Sequence, residues 1–265
     1  RNAALTLIKC YEDHEFLKDQ ASATEQLAVQ LRDEVLTEID KRIESNKPAE
    51  AALREMRDYL ERILEVVEVR LAELIARIRA PGQWQRYHSA DVVDRMHQVF
   101  DAISLGARGR YSIVYPPALQ SSSEYLLDIT VQASNDTIMM PPGLLDVFRD
   151  LTANARKYSD PGSRVSASLV QTEETLTLEV SDQGRGIPES EIERVVGFGV
   201  RGSNTSAHET KGGGFGLSKA YYLTKRCAGR MWISSRTQDD CEKDEVPGTT
   251  IRVRIPRRSP EEAGG

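Results

Sequence analysis

Asp150-Leu-Thr-Ala-Asn154-Ala-Arg-Lys157-Tyr158-Ser159 is the stretch from which the rest of the chain can be read. Asp150, Asn154 and Lys157 fall at i, i+4 and i+7, so one helical face carries a carboxylate, an amide and an ammonium. Leu144, Leu145, Val147, Phe148 and Leu151 supply the apolar side of the same helix. Such a polar face suits hydrated Mg²⁺ with phosphates, because Mg²⁺ keeps several waters and needs few protein oxygens. Three glycine-rich motifs follow: Asp182-Gln-Gly184-Arg-Gly186-Ile-Pro188, Gly197-Phe198-Gly-Val-Arg201-Gly202-Ser-Asn204 and Gly212-Gly-Gly214-Phe-Gly216-Leu217-Ser218. Asp182 follows the strand-like run Thr175–Ser181. A carboxylate there can accept a hydrogen bond from an exocyclic amine, while glycines let backbone lie close to a flat base. The last motif precedes an apolar helix, Leu217–Cys227, whose free N–H groups would favour phosphate. Glycines mark many turns, so each motif is weak alone; their order points to nucleotide binding.

The chain has 265 residues, 39% hydrophobic and 29% charged, as expected of a soluble globular protein with solvated helical faces. A formal net charge of −6 gives no basic character to suggest nucleic acid as a partner. No apolar run approaches the roughly eighteen residues that span a bilayer, and no signal peptide is visible. Cys10, Cys227 and Cys241 are scattered without metal-ligand spacing and read as reduced thiols.

From Leu5 to Ile43 there are almost no helix breakers, and apolar residues recur at helical spacing. Ser45-Asn46-Lys47-Pro48 stops that helix and restarts another, in which Leu53, Met56, Leu60, Ile63, Val67, Leu71, Leu74 and Ile78 form a heptad-like seam. A lone pair of helices each about 45 Å long leaves much apolar surface uncovered. Pairing with a second hairpin would bury it in a four-helix bundle, so a homodimer is expected. Packing of the hairpin against its own C-terminal domain is the alternative.

Beyond a linker at Pro81-Gly82-Gln-Trp84-Gln, Ser89 is expected to cap a helix from Ala90 to about Ile103. Strands are expected over 111–115, 126–133, 165–171, 175–181, 230–235 and 249–255, with loops at 116–124 and 237–246. The sum is α+β: an N-terminal antiparallel helical hairpin, then a sheet covered on one face by about three helices. The expected divisions are 1–80 for the hairpin, 84–258 for the second domain and 259–265 for a frayed tail. His88 and His97 read as structural, and His208 as a loop residue.

The four motifs together resemble the ATP-binding domain shared by sensor histidine kinases, gyrase-type, chaperone-type and mismatch-repair ATPases, and mitochondrial dehydrogenase kinases. The histidine-kinase branch is the most similar. Asn154-Ala-Arg-Lys157-Tyr158 looks like its Asn-Ala-x-Lys-Tyr box, and Gly214-Phe-Gly216-Leu217-Ser like its Gly-x-Gly-Leu box. Phe198-Gly-Val-Arg201-Gly202-Ser-Asn204 is similar to its Phe-Tyr-Arg-Gly-x-Asn segment, with the aromatic pair eroded to Gly199-Val200. The resemblance covers about Trp84 to Pro256 and implies a Bergerat-type α/β sandwich that binds ATP and Mg²⁺.

It also implies roles. Asn154 would ligate Mg²⁺, Lys157 would contact phosphate and Tyr158 would flank the site. Asp182 would hold adenine, with Gly184 and Gly186 shaping the base pocket. Gly212, Gly214, Gly216 and Leu217 would close on the phosphates. Arg201, in a lid spanning 201–214, would contact the γ-phosphate. In the hairpin, Asp13-His14-Glu15-Phe16-Leu17 matches the His-Glu-apolar core of the family's phosphoacceptor box, although the expected Pro is absent and Lys18 stands where Thr or Asn would be. His14 would be the phosphoacceptor, with Glu15 or Asp150 orienting it or taking a proton.

The implied activity is an ATP-dependent histidine kinase of two-component signalling, acting as a homodimer on a response-regulator receiver domain. With no nucleic acid and no membrane segment in this chain, the expected location is the cytoplasm; a start at Arg1 rather than Met suits a fragment of a larger sensor. The alternatives are a protein serine kinase of the dehydrogenase-kinase type and a non-catalytic ATP-binding scaffold.

Overall fold

The computed structural model describes residues 14–45, 50–79, 84–118, 120–203, 214–242 and 245–257. The chain divides into two compact units, Arg1–Gln83 and Trp84–Gly265.

The first unit contributes two long helices, α1 (His14–Ser45) and α2 (Glu50–Arg79). Leu36, Ile39 and Ile43 of α1 are buried at helical spacing. Arg57 reaches Asp40 at 2.6 Å, and Arg32 reaches Glu68 at 3.1 Å. These pairs climb one helix as they descend the other, so the two helices run antiparallel. Val35, Met56 and Val67 stay exposed on them. The turn expected at residues 46–48 lies outside the described residues.

The second unit is an α+β domain built on a mixed sheet. Its elements are β1 (Gln85–His88), α3 (Ser89–Gly106), β2 (Ser112–Val114), β3 (Glu124–Gln132), β4 (Thr137–Met140) and α4 (Pro142–Tyr158), followed by β5 (Arg164–Gln171), β6 (Thr175–Asp182), the short α5 (Ile192–Val195), α6 (Gly216–Arg226), β7 (Arg230–Arg236) and β8 (Gly248–Pro256). Six strands form one sheet in the order β2-β3-β5-β6-β8-β7. The pairs β2–β3 and β3–β5 are parallel, and the other three are antiparallel.

Alternation decides which face is covered. Tyr125, Leu127 and Ile129 of β3 are buried, as are Val165, Ala167 and Leu169 of β5. Leu176, Leu178 and Val180 of β6 and Ile251, Val253 and Ile255 of β8 continue the same face. Val92, Met96 and Phe100 of α3, Leu144, Phe148 and Leu151 of α4, and Ala220 of α6 join them in a single core. Each fully buried Val, Leu, Ile, Met or Phe among them contributes about 1.5–3 kcal/mol of transfer free energy. Pro141 caps α4 and Pro142 occupies its first turn, where a missing N–H costs nothing.

The structure departs from the sequence expectations in two places. β1 and β4 are not among the expected strands, and the expected linker ends at Gln85, the first residue of β1; the two strands pair antiparallel, Gln85 opposite Met140 through His88 opposite Thr137. Pairing holds His88 extended, so His88 rather than Ser89 is the N-cap of α3. Ser89 is buried inside the helix, and its Oγ has no hydrogen-bond partner among the described residues.

Candidate nucleotide site

α4, the end of β6 and the start of α6 converge on a cavity of about 370 Å³. Asp150, Asn154, Lys157 and Tyr158 line it from α4, as their spacing on one helical face requires. Asp182 and Gly186 line it from the end of β6, Arg201 from the segment after α5, and Gly214, Gly216 and Leu217 from the start of α6. The volume lies within the range of small-molecule sites, about 300–1,000 Å³.

At one end sits Asp182. Its Oδ1 accepts hydrogen bonds from the N–H groups of Gly184 at 2.8 Å and Thr249 at 3.2 Å. Oδ2 accepts none among the described residues. Burial pushes the carboxyl up to about 6 against those two donors. Val180 and Ile251 add apolar walls beside it. The carboxylate can therefore take one further donor in a partly apolar setting, which is what an exocyclic amine on a base offers.

The two glycines after Asp182 are packed against backbone carbonyls of the protein itself. A Cβ at Gly184 would lie 2.6 Å from the Tyr158 carbonyl oxygen, and one at Gly186 only 2.1 Å from the Arg236 carbonyl oxygen. Gly186 also has a φ of 71°. Their smallness lets this turn nest between the C-terminus of α4 and β7. Gly186 lines the cavity and Gly184 does not; the protein's own backbone leaves no room for a side chain at either position.

The other end is polar and cationic. Burial lowers the Lys157 pKa first, and the charges of Arg201 and Arg156 lower it further. Two like charges facing one cavity are the setting an anion would relieve. Gly216 admits close contact: a Cβ there would stand 2.7 Å from Asn154 Nδ2, so the first turn of α6 presses on the α4 amide. Gly214, with a φ of 73°, would place a Cβ 2.8 Å from the Val200 carbonyl oxygen. The rings of Phe198 and Phe215 stack with centroids 4.7 Å apart.

No group of three or more His, Cys, Asp or Glu among the described residues could hold a metal ion. Hydrated Mg²⁺ carried by phosphates would ask the protein for little more than one amide oxygen, and Asn154 lines the cavity with one.

Two residues were missed from sequence. Lys219 of α6 lines the cavity, and its Nζ reaches Asp146 Oδ2 at 2.7 Å and Asp150 Oδ2 at 2.6 Å. Asp146 also pairs with Arg149, and both are almost wholly buried. Asp146, Asp150 and Asn154 recur at i, i+4 and i+8, a stripe that was legible; its partner, 69 residues beyond Asp150, was not. Gly212 and most of the expected lid lie outside the described residues, as does the 259–265 tail. His14 and Glu15 fall in the first turn of α1, and their side chains also lie outside them.

Residues 139–259 match the family described as histidine kinase-, DNA gyrase B-, and HSP90-like ATPase. A signal transduction histidine-protein kinase/phosphatase MprB from Mycobacterium sp. (strain KMS) is 36% identical over 117 residues, 44% of this chain and 22% of that protein. An adaptive-response sensory-kinase SasA from Prochlorococcus marinus is 24% identical over 247 residues, 91% of this chain and 63% of its own. The solved structure of a mycobacterial sensor histidine kinase MprB aligns at 25% identity with a TM-score of 0.46, covering 66% of this chain and 99% of that one. The chain therefore spans only about a fifth of the length of the mycobacterial relative. No helix among the described residues is long and apolar enough to cross a membrane. With its Asn154 helix, Asp182 strand end and glycine-led α6, the C-terminal unit is similar over residues 139–259 to the histidine kinase-, DNA gyrase B- and HSP90-like ATPase family.

Proposed function

We propose that the chain is an ATP-dependent protein histidine kinase of a two-component signalling pathway. One observation carries the proposal: a single cavity has an acceptor carboxylate at one end and, at the other, an amide, two cations and a helix start. The names of the similar proteins support the same activity.

In this account Asp182 accepts a hydrogen bond from the adenine amine through Oδ2, and Val180 and Ile251 flank the base. Asn154 gives Mg²⁺ an oxygen ligand; the ion supplies charge neutralisation to the phosphates when bound. Lys157 and Arg201 bind phosphate oxygens, and Arg201 steadies charge on the γ-phosphoryl group in transfer. Gly214 and Gly216 let backbone approach the phosphates beside the first turn of α6, and Gly212 belongs to the same segment. Tyr158 carries the Lys157 ammonium 5.2 Å above its ring, limiting where that charge can go.

The acceptor is His14. Its neutral imidazole nitrogen attacks the γ-phosphorus in line as the bond to ADP breaks, and Glu15 orients the ring. An aspartate on a receiver domain then takes the phosphoryl group. The exposed Met56 and Val67 of α2 suit a four-helix bundle formed by two copies, which makes the functional unit a homodimer. The working divisions are 1–80 for dimerisation and phosphoacceptance and 84–258 for ATP binding, in a cytoplasmic setting.

The test is incubation with γ-labelled ATP and Mg²⁺. The expected result is an acid-labile, base-stable label, lost in both His14→Ala and Asn154→Ala. Label that survives His14→Ala but not Asn154→Ala would move the acceptor elsewhere. An acid-stable label would replace the histidine kinase with a serine or threonine kinase.

A further inference from the structure

Lys219 stands in the first turn of α6, its backbone N–H bonded to the Phe215 carbonyl oxygen at 2.9 Å. Its side chain crosses to α4 and bonds two carboxylates at once, Asp146 at 2.7 Å and Asp150 at 2.6 Å. Their exposures differ: the Lys219 side chain is 36% accessible, that of Asp150 22% and that of Asp146 5%. Asp146 has a second cation, Arg149, beside it. Lys219 and Asp150 both line the cavity, on the side shared with Asn154 and Lys157. Two carboxylates, one guanidinium and one ammonium thus meet here. Removing the ammonium makes the group more negative by one charge, and Asp150, which lines the cavity, loses a cation held at 2.6 Å.

We infer that Lys219 determines the phosphate preference of the site by cancelling the negative charge of Asp150 and Asp146 beside the polyphosphate; this rests on the nucleotide reading proposed above. The mechanism is electrostatic. A carboxylate several ångström from a phosphate, in a cleft of intermediate dielectric, weakens binding by roughly tenfold or more. The penalty scales with ligand charge, so it is largest for ATP, smaller for ADP and near zero for adenosine. Lys219 therefore acts through the two aspartates and is a positioning and specificity residue. It bonds Asp146 and Asp150 of α4, whereas Asp182 ends β6, which separates its effect from that of Asp182.

The experiment measures dissociation constants of ATP, ADP and adenosine for the full chain, with Mg²⁺ present. Lys219→Met should weaken ATP about tenfold or more, ADP by a smaller factor and adenosine by less than about twofold. Adding Asp150→Asn to Lys219→Met should restore most of the ATP affinity, since it removes the carboxylate charge that Lys219 offset. Lys219→Gln keeps hydrogen bonding without charge and carries the same test if the methionine variant melts below the assay temperature. Equal loss for all three ligands would mark a purely structural strut and overturn the inference, as would unchanged ATP affinity. Failure of the unaltered chain to bind ATP would overturn the nucleotide reading and this inference together, whereas ATP binding with uniform losses overturns the inference alone.

Discussion

The two ends of the cavity are built differently. The end proposed to hold the base is part of the sheet: Asp182 is the last residue of β6, its Oδ1 is fixed by two backbone N–H groups, and its turn is packed on β7 through Gly186. The phosphate end joins side chains from two helix faces and the segment after α5, held by ion pairs such as Lys219 with Asp146 and Asp150. Backbone hydrogen bonds and absent Cβ atoms make the first end specific in shape. Charge balance makes the second end specific in electrostatics, with geometry free to adjust as a ligand arrives.

The sharpest break of this contrast is a substitution in the backbone turn that follows Asp182. Gly186→Ala forces a side chain into a positive φ and onto the Arg236 carbonyl oxygen, so it should cost about 3 kcal/mol of stability, seen as a lower urea midpoint. At the phosphate end, Asn154→Ala should leave the fold intact and weaken Mg²⁺-dependent ATP binding by about 10–100-fold, measured by calorimetry with and without Mg²⁺.

Asp182→Asn probes function and stability at once. Oδ1 of the amide still accepts from Gly184 and Thr249, while the acceptor toward the cavity is lost, so ATP affinity should fall by about 2 kcal/mol. Stability should move the other way. A folded-state pKa of about 6, above the ordinary 3.8, means this group's contribution is full below about pH 4 and lost as pH rises through 6. At pH 7 the ionised carboxylate therefore destabilises the fold, and the asparagine variant should melt higher at pH 7 but not at pH 3.5. The smallest expected effect is on the unaltered chain: ATP affinity should decline severalfold between pH 7 and pH 5 as Asp182 takes a proton. A pH-independent affinity would remove Asp182 from the base contact.

Local chemistry was legible in the sequence. The polar face of α4 follows from spacing, and the apolar alternation of β5, β6 and β8 follows from a period of two. What stayed hidden depends on partners far along the chain. Gln85–His88 has no alternating apolar residues and becomes a strand only because Thr137–Met140 lies beside it. Gly184 and Gly186 could be picked out as glycines, but the carbonyls of Tyr158 and Arg236 that require them could not. Lys219 looked like one more polar residue of an amphipathic helix; its meaning comes from two carboxylates on α4. Residues whose role is set by helical period or strand alternation were found, and those set by a long-range charge or clash were not.

The central claim is that one cavity binds adenine at Asp182 and Mg²⁺-bearing phosphates at Asn154. Calorimetric titration of ATP into the unaltered chain, Asp182→Asn and Asn154→Ala tests it, each with Mg²⁺ and with EDTA. The account predicts one site per chain, weakened in Asp182→Asn to a similar degree under both conditions, and weakened in Asn154→Ala chiefly when Mg²⁺ is present. Binding that ignores both substitutions, or no binding by the unaltered chain, would contradict it.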